Sequence, residues 1–241
     1  MFVPISDDNS QRVRIPFVNL TLIALNALVF LAELGANASG GLEAFVRQWA
    51  AIPADYTGHG GGGGGPVPLT LLTSMFLHGG WAHLIGNMVY LGIFGDNVES
   101  SIGHVKYLLF YLACGIAGAL AHIFTAPGST VPTLGASAAI SGVLAAYIVY
   151  FPSNRVLVWF AFRVMAVPAI VVIGTWALMQ FLSSAGAILS PSEGGGVAYT
   201  AHVGGFVAGL FLIKLFAKEN HVLAHTAGTY RPDWGGSGGW R

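Results

Sequence analysis

Charge is what this sequence has least of. Only 20 of its 241 residues are Asp, Glu, Lys or Arg, 8% of the chain, where an ordinary soluble domain carries about 25%; a normally wetted surface is excluded. Ten cations balance ten anions, so a nucleic-acid backbone finds no basic patch and no such partner is expected. The single cysteine, Cys114, excludes a disulfide framework and a cysteine-built metal cage. The opening MFVPISDDNSQRVRI carries acids and lacks a short apolar core with a small-residue cleavage site behind it, so no removable signal peptide is expected and the first helix should stay. What the chain does have is 54% hydrophobic residues, more apolar surface than one water-facing globule of this size hides. It reads as an all-α, polytopic membrane protein.

A bilayer core takes about 20 mostly apolar residues per helix, and six such stretches lie near 16–34, 80–98, 106–124, 135–151, 165–184 and 199–217. Arg163 is placed at the membrane edge, and Pro168 then falls in the first turn of the fifth helix, where its missing N–H costs little. This gives an N-terminal segment 1–15, a membrane domain 16–217 with an external loop about 35–79, and a Gly-rich tail 218–241 that is expected to be mobile. With the N-terminus in the cytoplasm, nine of the ten Lys and Arg residues lie inside and only Arg47 outside, the positive-inside pattern. Both termini are therefore expected in the cytoplasm, in a cell membrane and specifically a bacterial plasma membrane. In the external loop, Gly60 to Gly65 is a flexible tract, while Leu42, Phe45, Val46, Trp49, Ala50 and Ile52 have the spacing of a segment lying in the membrane interface.

An ionisable group inside a span costs about 2.5 to 3.5 kcal/mol, so each polar residue there demands a reason. Arg, Lys, Asp and Glu fall nearly all at span ends, which leaves His83, His122 and His202 with Asn19, Asn26, Asn87, Ser137 and Ser141. The second, fourth and sixth spans enter from the same side, and a rise of about 1.5 Å per residue puts His83, Ser137 and His202 at similar depth. Small residues at Ser137, Ser141 and Ala145 on one helix, and at Ala201, Gly205, Ala208 and Gly209 on another, let those helices approach closely and bring Ser137 to His202. A serine hydroxyl needs a base to take its proton, and a neutral imidazole serves. No carboxylate is expected at that depth, so the arrangement is a Ser/His dyad. Asn87 follows His83 by four residues on the same helix face; together with the free N–H groups at the start of the fourth span they suit an oxyanion.

Each polar residue also has a purely structural reading. Ser141 is assigned a bond to its own helix backbone, His122 a helix-to-helix hydrogen bond, and His78 the ordering of the FLHGG turn. His83 with Asn87 has the alternative of holding the second span against the fourth. His59, His104, His221 and His225 lie in loops or the tail and form no metal set; neither a metal nor another cofactor is expected.

The stretches FLHGGWAHLIGNMVYLGIFGDNVES, GASAAISG and AHVGGFVAGL, preceded by PFVNLTLIALNALVFL, resemble in this order the signature stretches of the rhomboid intramembrane serine proteases, over roughly residues 15 to 217. The resemblance implies a six-transmembrane-helix rhomboid bundle, a nucleophile at Ser137, a general base at His202 ahead of Gly205 and Gly209, and oxyanion support from His83 and Asn87. It implies intramembrane serine endopeptidase activity on single-span membrane proteins near the outer face, with those substrates and the lipid bilayer as partners; oligomeric state is not legible. One departure stands out: the family pattern G-x-S-G has Ala138 in place of its last glycine, a methyl that keeps the backbone N–H but crowds a neighbouring helix or the substrate. The rival reading is a non-proteolytic rhomboid-like protein that binds and escorts membrane proteins. A small transporter would call for charges deeper in the spans.

Overall fold

The computed structural model describes residues 3–10, 12, 14–59, 67–189 and 198–216. The Gly60–Gly65 tract and the tail 218–241 lie outside the described residues. In chain order the elements are strand β1 (Val3–Asp7), helices α1 (Phe17–Ala38), α2 (Leu42–Trp49), α3 (Pro53–Thr57) and α4 (Val67–Thr73), a 3-10 turn (Ser74–Phe76), α5 (Trp81–Ile102), α6 (His104–Thr125), α7 (Ser137–Tyr150), strands β2 (Arg155–Phe160) and β3 (Arg163–Pro168), α8 (Ala169–Leu189) and α9 (Tyr199–Phe216).

Among the described residues, four helices are long and apolar enough to cross a bilayer: α1, α6, α8 and α9. They turn apolar side chains outward, with Leu28, Leu182 and Leu215 at 62%, 65% and 79% exposure, the reverse of a water-soluble surface. The protein is a multi-pass membrane protein. The other two of the six expected stretches differ from these four. Helix α5 has 22 residues but carries Asp96 and Glu99 in its last turns, and α7 is apolar but only 14 residues long, about 21 Å at the helical rise.

The centre is built from α6, α7 and α9, which touch almost backbone to backbone. A Cβ at Gly205 would strike the carbonyl oxygen of Ala138, and one at Gly209 would lie 2.5 Å from the Gly142 oxygen and 3.0 Å from the Ala145 Cβ. The small residues of α7 that meet α9 are thus Ala138, Gly142 and Ala145; Ala145 is as expected, while Ala138 and Gly142 stand where Ser137 and Ser141 were expected. Ser141 instead donates to the Ser137 carbonyl, 2.6 Å away. The start of α1 has no side-chain cap of its own; Glu99 supplies one from α5, its two carboxylate oxygens accepting the Val18 and Asn19 N–H groups at 2.9 and 2.7 Å. An acid at a helix N-terminus satisfies orphan donors and complements the helix dipole. Asn19 then donates to the Leu91 carbonyl and accepts from the Tyr107 hydroxyl, joining α1, α5 and α6.

The chain is mostly helical, and the all-α expectation is corrected by a three-stranded antiparallel sheet in the order β1-β2-β3. Val156 pairs with Val167 and Trp159 with Val164, while β1 lies on the other side, Pro4 opposite Val158. Alternating β-branched residues explain it: Val156 and Val158 are fully buried against the helical core while their neighbours face out. The fifth long helix accordingly begins at Ala169, so Pro168 ends a strand instead of standing in the helix's first turn, and Arg163, expected at the membrane edge ahead of the helix, opens that strand. Proline at a strand end leaves no ladder donor missing.

In the loop between α1 and α5, the segment expected at the membrane interface is helical over α2, but its end turns inward. Ala50, Ala51 and Ile52 are buried, and Ala51 pairs with Thr133 through two backbone bonds of 3.3 and 2.7 Å. That end is fastened to the loop before α7.

Candidate active site

The first turns of α5, α7 and α9 meet around one cavity of about 1050 Å³, lined among others by His83, Asn87, His122, Ser137, Trp176 and His202. Ser137 is the first residue of α7 and His202 the fourth of α9. The backbone approach at Gly205 brings their side chains together: Ser137 Oγ and His202 Nε2 lie 2.7 Å apart. On the other edge of the ring, His202 Nδ1 is 2.7 Å from Oε1 of Gln180 on α8. A carboxamide oxygen only accepts, so Nδ1 carries the proton, and Nε2 is left to accept from the serine hydroxyl. Trp176 and Tyr199 flank the imidazole at centroid distances of 6.2 and 6.4 Å.

His83 sits beside this pair. The Gly79 N–H points at His83 Nδ1, 3.3 Å away, which makes Nε2 the N–H of a neutral ring. That edge faces Gly135, whose φ is +119°. A Cβ at Gly135 would lie 2.8 Å from both Cε1 and Nε2 of His83, and 3.6 Å from Ser137 Oγ. Glycine here serves two needs at once, the left-handed backbone and the room for the ring. Asn87 is more committed: its amide donates to His78 Nε2 at 3.0 Å, leaving its second N–H for the cavity. His78 Nδ1 then donates to the Phe76 carbonyl, 3.2 Å away. Burial, with the nearby His83 ring, holds the His78 imidazole down to about 4, so the ring remains a neutral connector.

One expectation is revised here, and one residue is added. A carboxylate does lie in this layer: Glu33 of α1 is buried and accepts the His78 N–H through both oxygens, at 3.0 and 3.2 Å. It braces the turn before α5 and is not on His202. Gln180 went unnoticed in the sequence because it is uncharged and sits within the apolar run WALMQFL; the signal was a carboxamide deep in a span, which needs a partner in lipid. His122 bonds Thr200 at 2.8 Å, linking α6 to α9.

Ala138 also finds its place. A Cβ at Gly118 would come within 2.7 Å of the Ala138 methyl, so the bare Gly118 on α6 is the notch that receives it. The methyl is turned into the helix interface, and the backbone N–H at this position is retained.

A family model for the Rhomboid domain matches residues 67–219. The chain is 33% identical over 141 residues to "Rhomboid protease GluP" of Bacillus subtilis, covering 58% of this chain and 24% of that protein. It is 29% identical over 199 residues to "Rhomboid protein 1, mitochondrial" of Saccharomyces cerevisiae, covering 77% and 51%. It is also 30% identical over 118 residues to "Inactive rhomboid protein 1" of Drosophila melanogaster, covering 49% and 8%. The chain thus spans about half or less of the length of these relatives. The matched segment holds every residue of the cavity named above and more than half of the sequence, and the chain belongs to the rhomboid family.

Proposed function

We propose that this protein is an intramembrane serine endopeptidase that cleaves single-span membrane proteins near the outer face of the bilayer. The observation that carries the reading is the 2.7 Å pairing of Ser137 Oγ with His202 Nε2 at the edge of a large cavity. In this scheme all six long helices cross the membrane and both termini lie in the cytoplasm of a cell membrane, as the nine-to-one distribution of Lys and Arg favours.

As Ser137 Oγ attacks a substrate carbonyl carbon, its proton passes to His202 Nε2. The carbonyl oxygen becomes an oxyanion, stabilised by the Ser137 backbone N–H, His83 Nε2–H and the second N–H of Asn87. His202 then gives the proton to the departing amine nitrogen, the peptide C–N bond breaks, and an acyl ester remains on Ser137. Water, deprotonated by the same ring, hydrolyses that ester. The cavity is mostly apolar but carries these polar groups on its wall, and it is roomy enough for water and for an unwound segment of substrate backbone, which membrane depth tolerates only inside protein.

The test is reaction with a serine-directed fluorophosphonate and cleavage of a single-span substrate, both in lipid. Ser137→Ala and His202→Ala should each lower cleavage by about a thousandfold or more, with folding retained. One relative bears the name of an inactive rhomboid; well-folded protein that neither labels nor cleaves would favour the second reading, a binding or escort role.

A further inference from the structure

A dyad leaves one nitrogen of its base unaccounted for, and here that nitrogen is occupied. His202 Nδ1 meets Gln180 Oε1 at 2.7 Å, opposite the 2.7 Å bond to Ser137. Gln180 is the one carboxamide of α8, and its neighbours Leu178, Met179, Phe181 and Leu182 are all outward-facing apolar side chains. A primary amide in such a setting is unfavourable unless it is bonded. One turn earlier on α8, Trp176 packs near the same imidazole.

We propose that Gln180 is a positioning residue that completes a Ser137–His202–Gln180 relay. Its oxygen accepts the Nδ1–H of His202, fixing both the tautomer and the plane of the ring, so that the Nε2 lone pair is aimed at the serine hydroxyl. The opposite amide rotamer would present N–H to Nδ1, place the ring proton on Nε2, and remove the base. A neutral acceptor suits the location: a carboxylate facing an uncharged ring between α8 and α9 would carry a desolvation cost that the amide avoids. As the imidazolium forms during acyl transfer, the amide dipole already points its negative end at Nδ1 and requires no reorientation. The base is thereby held from α8, a helix that carries neither the nucleophile nor the base.

This inference rests on the protease reading, and the experiment separates the two. Full-length protein in lipid nanodiscs is compared as wild type, Gln180→Leu and Gln180→Glu. The readouts are kcat and KM on a single-span substrate and the 15N spectrum of its histidines, with His202 assigned from the His202→Ala spectrum. Gln180→Leu should lower kcat about 10- to 100-fold with KM changed less than about twofold, since the wrong tautomer disables the base without touching the substrate site. Gln180→Glu, which keeps an oxygen acceptor, should recover most of that loss. In the wild type the proton should reside on Nδ1 of His202, and Gln180→Leu should lose that preference. A proton on Nε2 in the wild type, an unchanged tautomer in Gln180→Leu, or a kcat for that variant within about twofold of wild type would each overturn the proposal. If the leucine variant fails to fold, Gln180→Met replaces it under the same criteria. Wild-type protein that does not cleave but shows Nδ1–H lost in Gln180→Leu would retire the protease reading and leave the hydrogen bond established.

Discussion

Helices α5 and α7 each carry a polar cluster at both ends, and the two clusters are built differently. At the end where the helices begin, Ser137, His83 and Asn87 join His202 around a cavity, with Gln180 bonded to the far edge of the His202 ring. Every polar side chain among these five is formally neutral. At the end where the helices finish, Asp96, Asn97, Glu99 and Tyr147 form a closed knot with the N-terminal strand. Asp7 accepts from Tyr147 and Asn97 at 2.6 and 2.8 Å, Arg12 pairs with Asp96 at 2.9 Å, and Glu99 caps α1 while meeting His104 at 2.5 Å. Carboxylates are used where they hold elements together. Neutral groups, with hydrogen-bonding positions left open on His83 and Asn87, are used at the cavity, where the proposed protease would meet its substrate. A buried charge is tolerable only with its partners in place, whereas a group that must change its hydrogen bonds during a reaction cannot have all of them filled.

Damage at the two ends should therefore read out differently. The largest effect is expected for Glu99→Ala. It strips two N–H groups of α1 and His104 of a fully buried acceptor and should destabilise the protein by about 3 kcal/mol, measured by denaturant titration in detergent micelles. His83→Ala should do the converse, lowering kcat about a hundredfold through loss of an oxyanion donor while the unfolding midpoint stays within the error of the wild type.

The knot also contributes a pH response. Burial pushes the Asp7 carboxyl up to about 7, with the Tyr147 and Asn97 hydrogen bonds opposing and the neighbouring Asp96 reinforcing the shift. The folded protein then keeps a proton on Asp7 that the unfolded chain releases near pH 4. Stability should fall as pH rises from about 4 to 7 and level off above that range. Asp7→Asn should flatten this slope in thermal unfolding curves recorded across the range, and an identical slope in the variant would assign it to another group. The smallest effect is expected for Ala138→Gly. The methyl rests against Gly118 at the cavity wall and leaves the backbone N–H in place, so cleavage should change less than about threefold, while stability should fall by up to about 1 kcal/mol from the lower helix propensity of glycine.

Much of the site was legible because helix geometry converts position into depth. Ser137 and His202 each stand within the first turn of a helix, at the same end of the bundle, and the glycines at 205 and 209 announce a close helix partner. Spacing did not choose the face of α7, because Ser137, Ala138, Ser141, Gly142, Ala145 and Ala146 offer two small-residue stripes one residue apart. Contact with Gly205 selected the one through Ala138. The β2–β3 hairpin was hidden for a different reason. The run RVLVWFAFRVMAVP is as apolar as the helix that follows it, and only pairing with residues 3–7, some 150 positions earlier, separates strand from span. Glu33, Asp96 and Glu99 resembled ordinary helix-end charges; their partners come from other elements, which no local pattern reveals.

The most direct measurement of whether the neutral cluster is reactive is mass-spectrometric mapping of fluorophosphonate adducts on the full-length protein in lipid. The adduct is expected on Ser137 alone, and its formation should vanish in His202→Ala although the hydroxyl is still present. Folded wild-type protein that takes no label, or labelling of Ser137 that persists undiminished without His202, would contradict a serine activated by that imidazole.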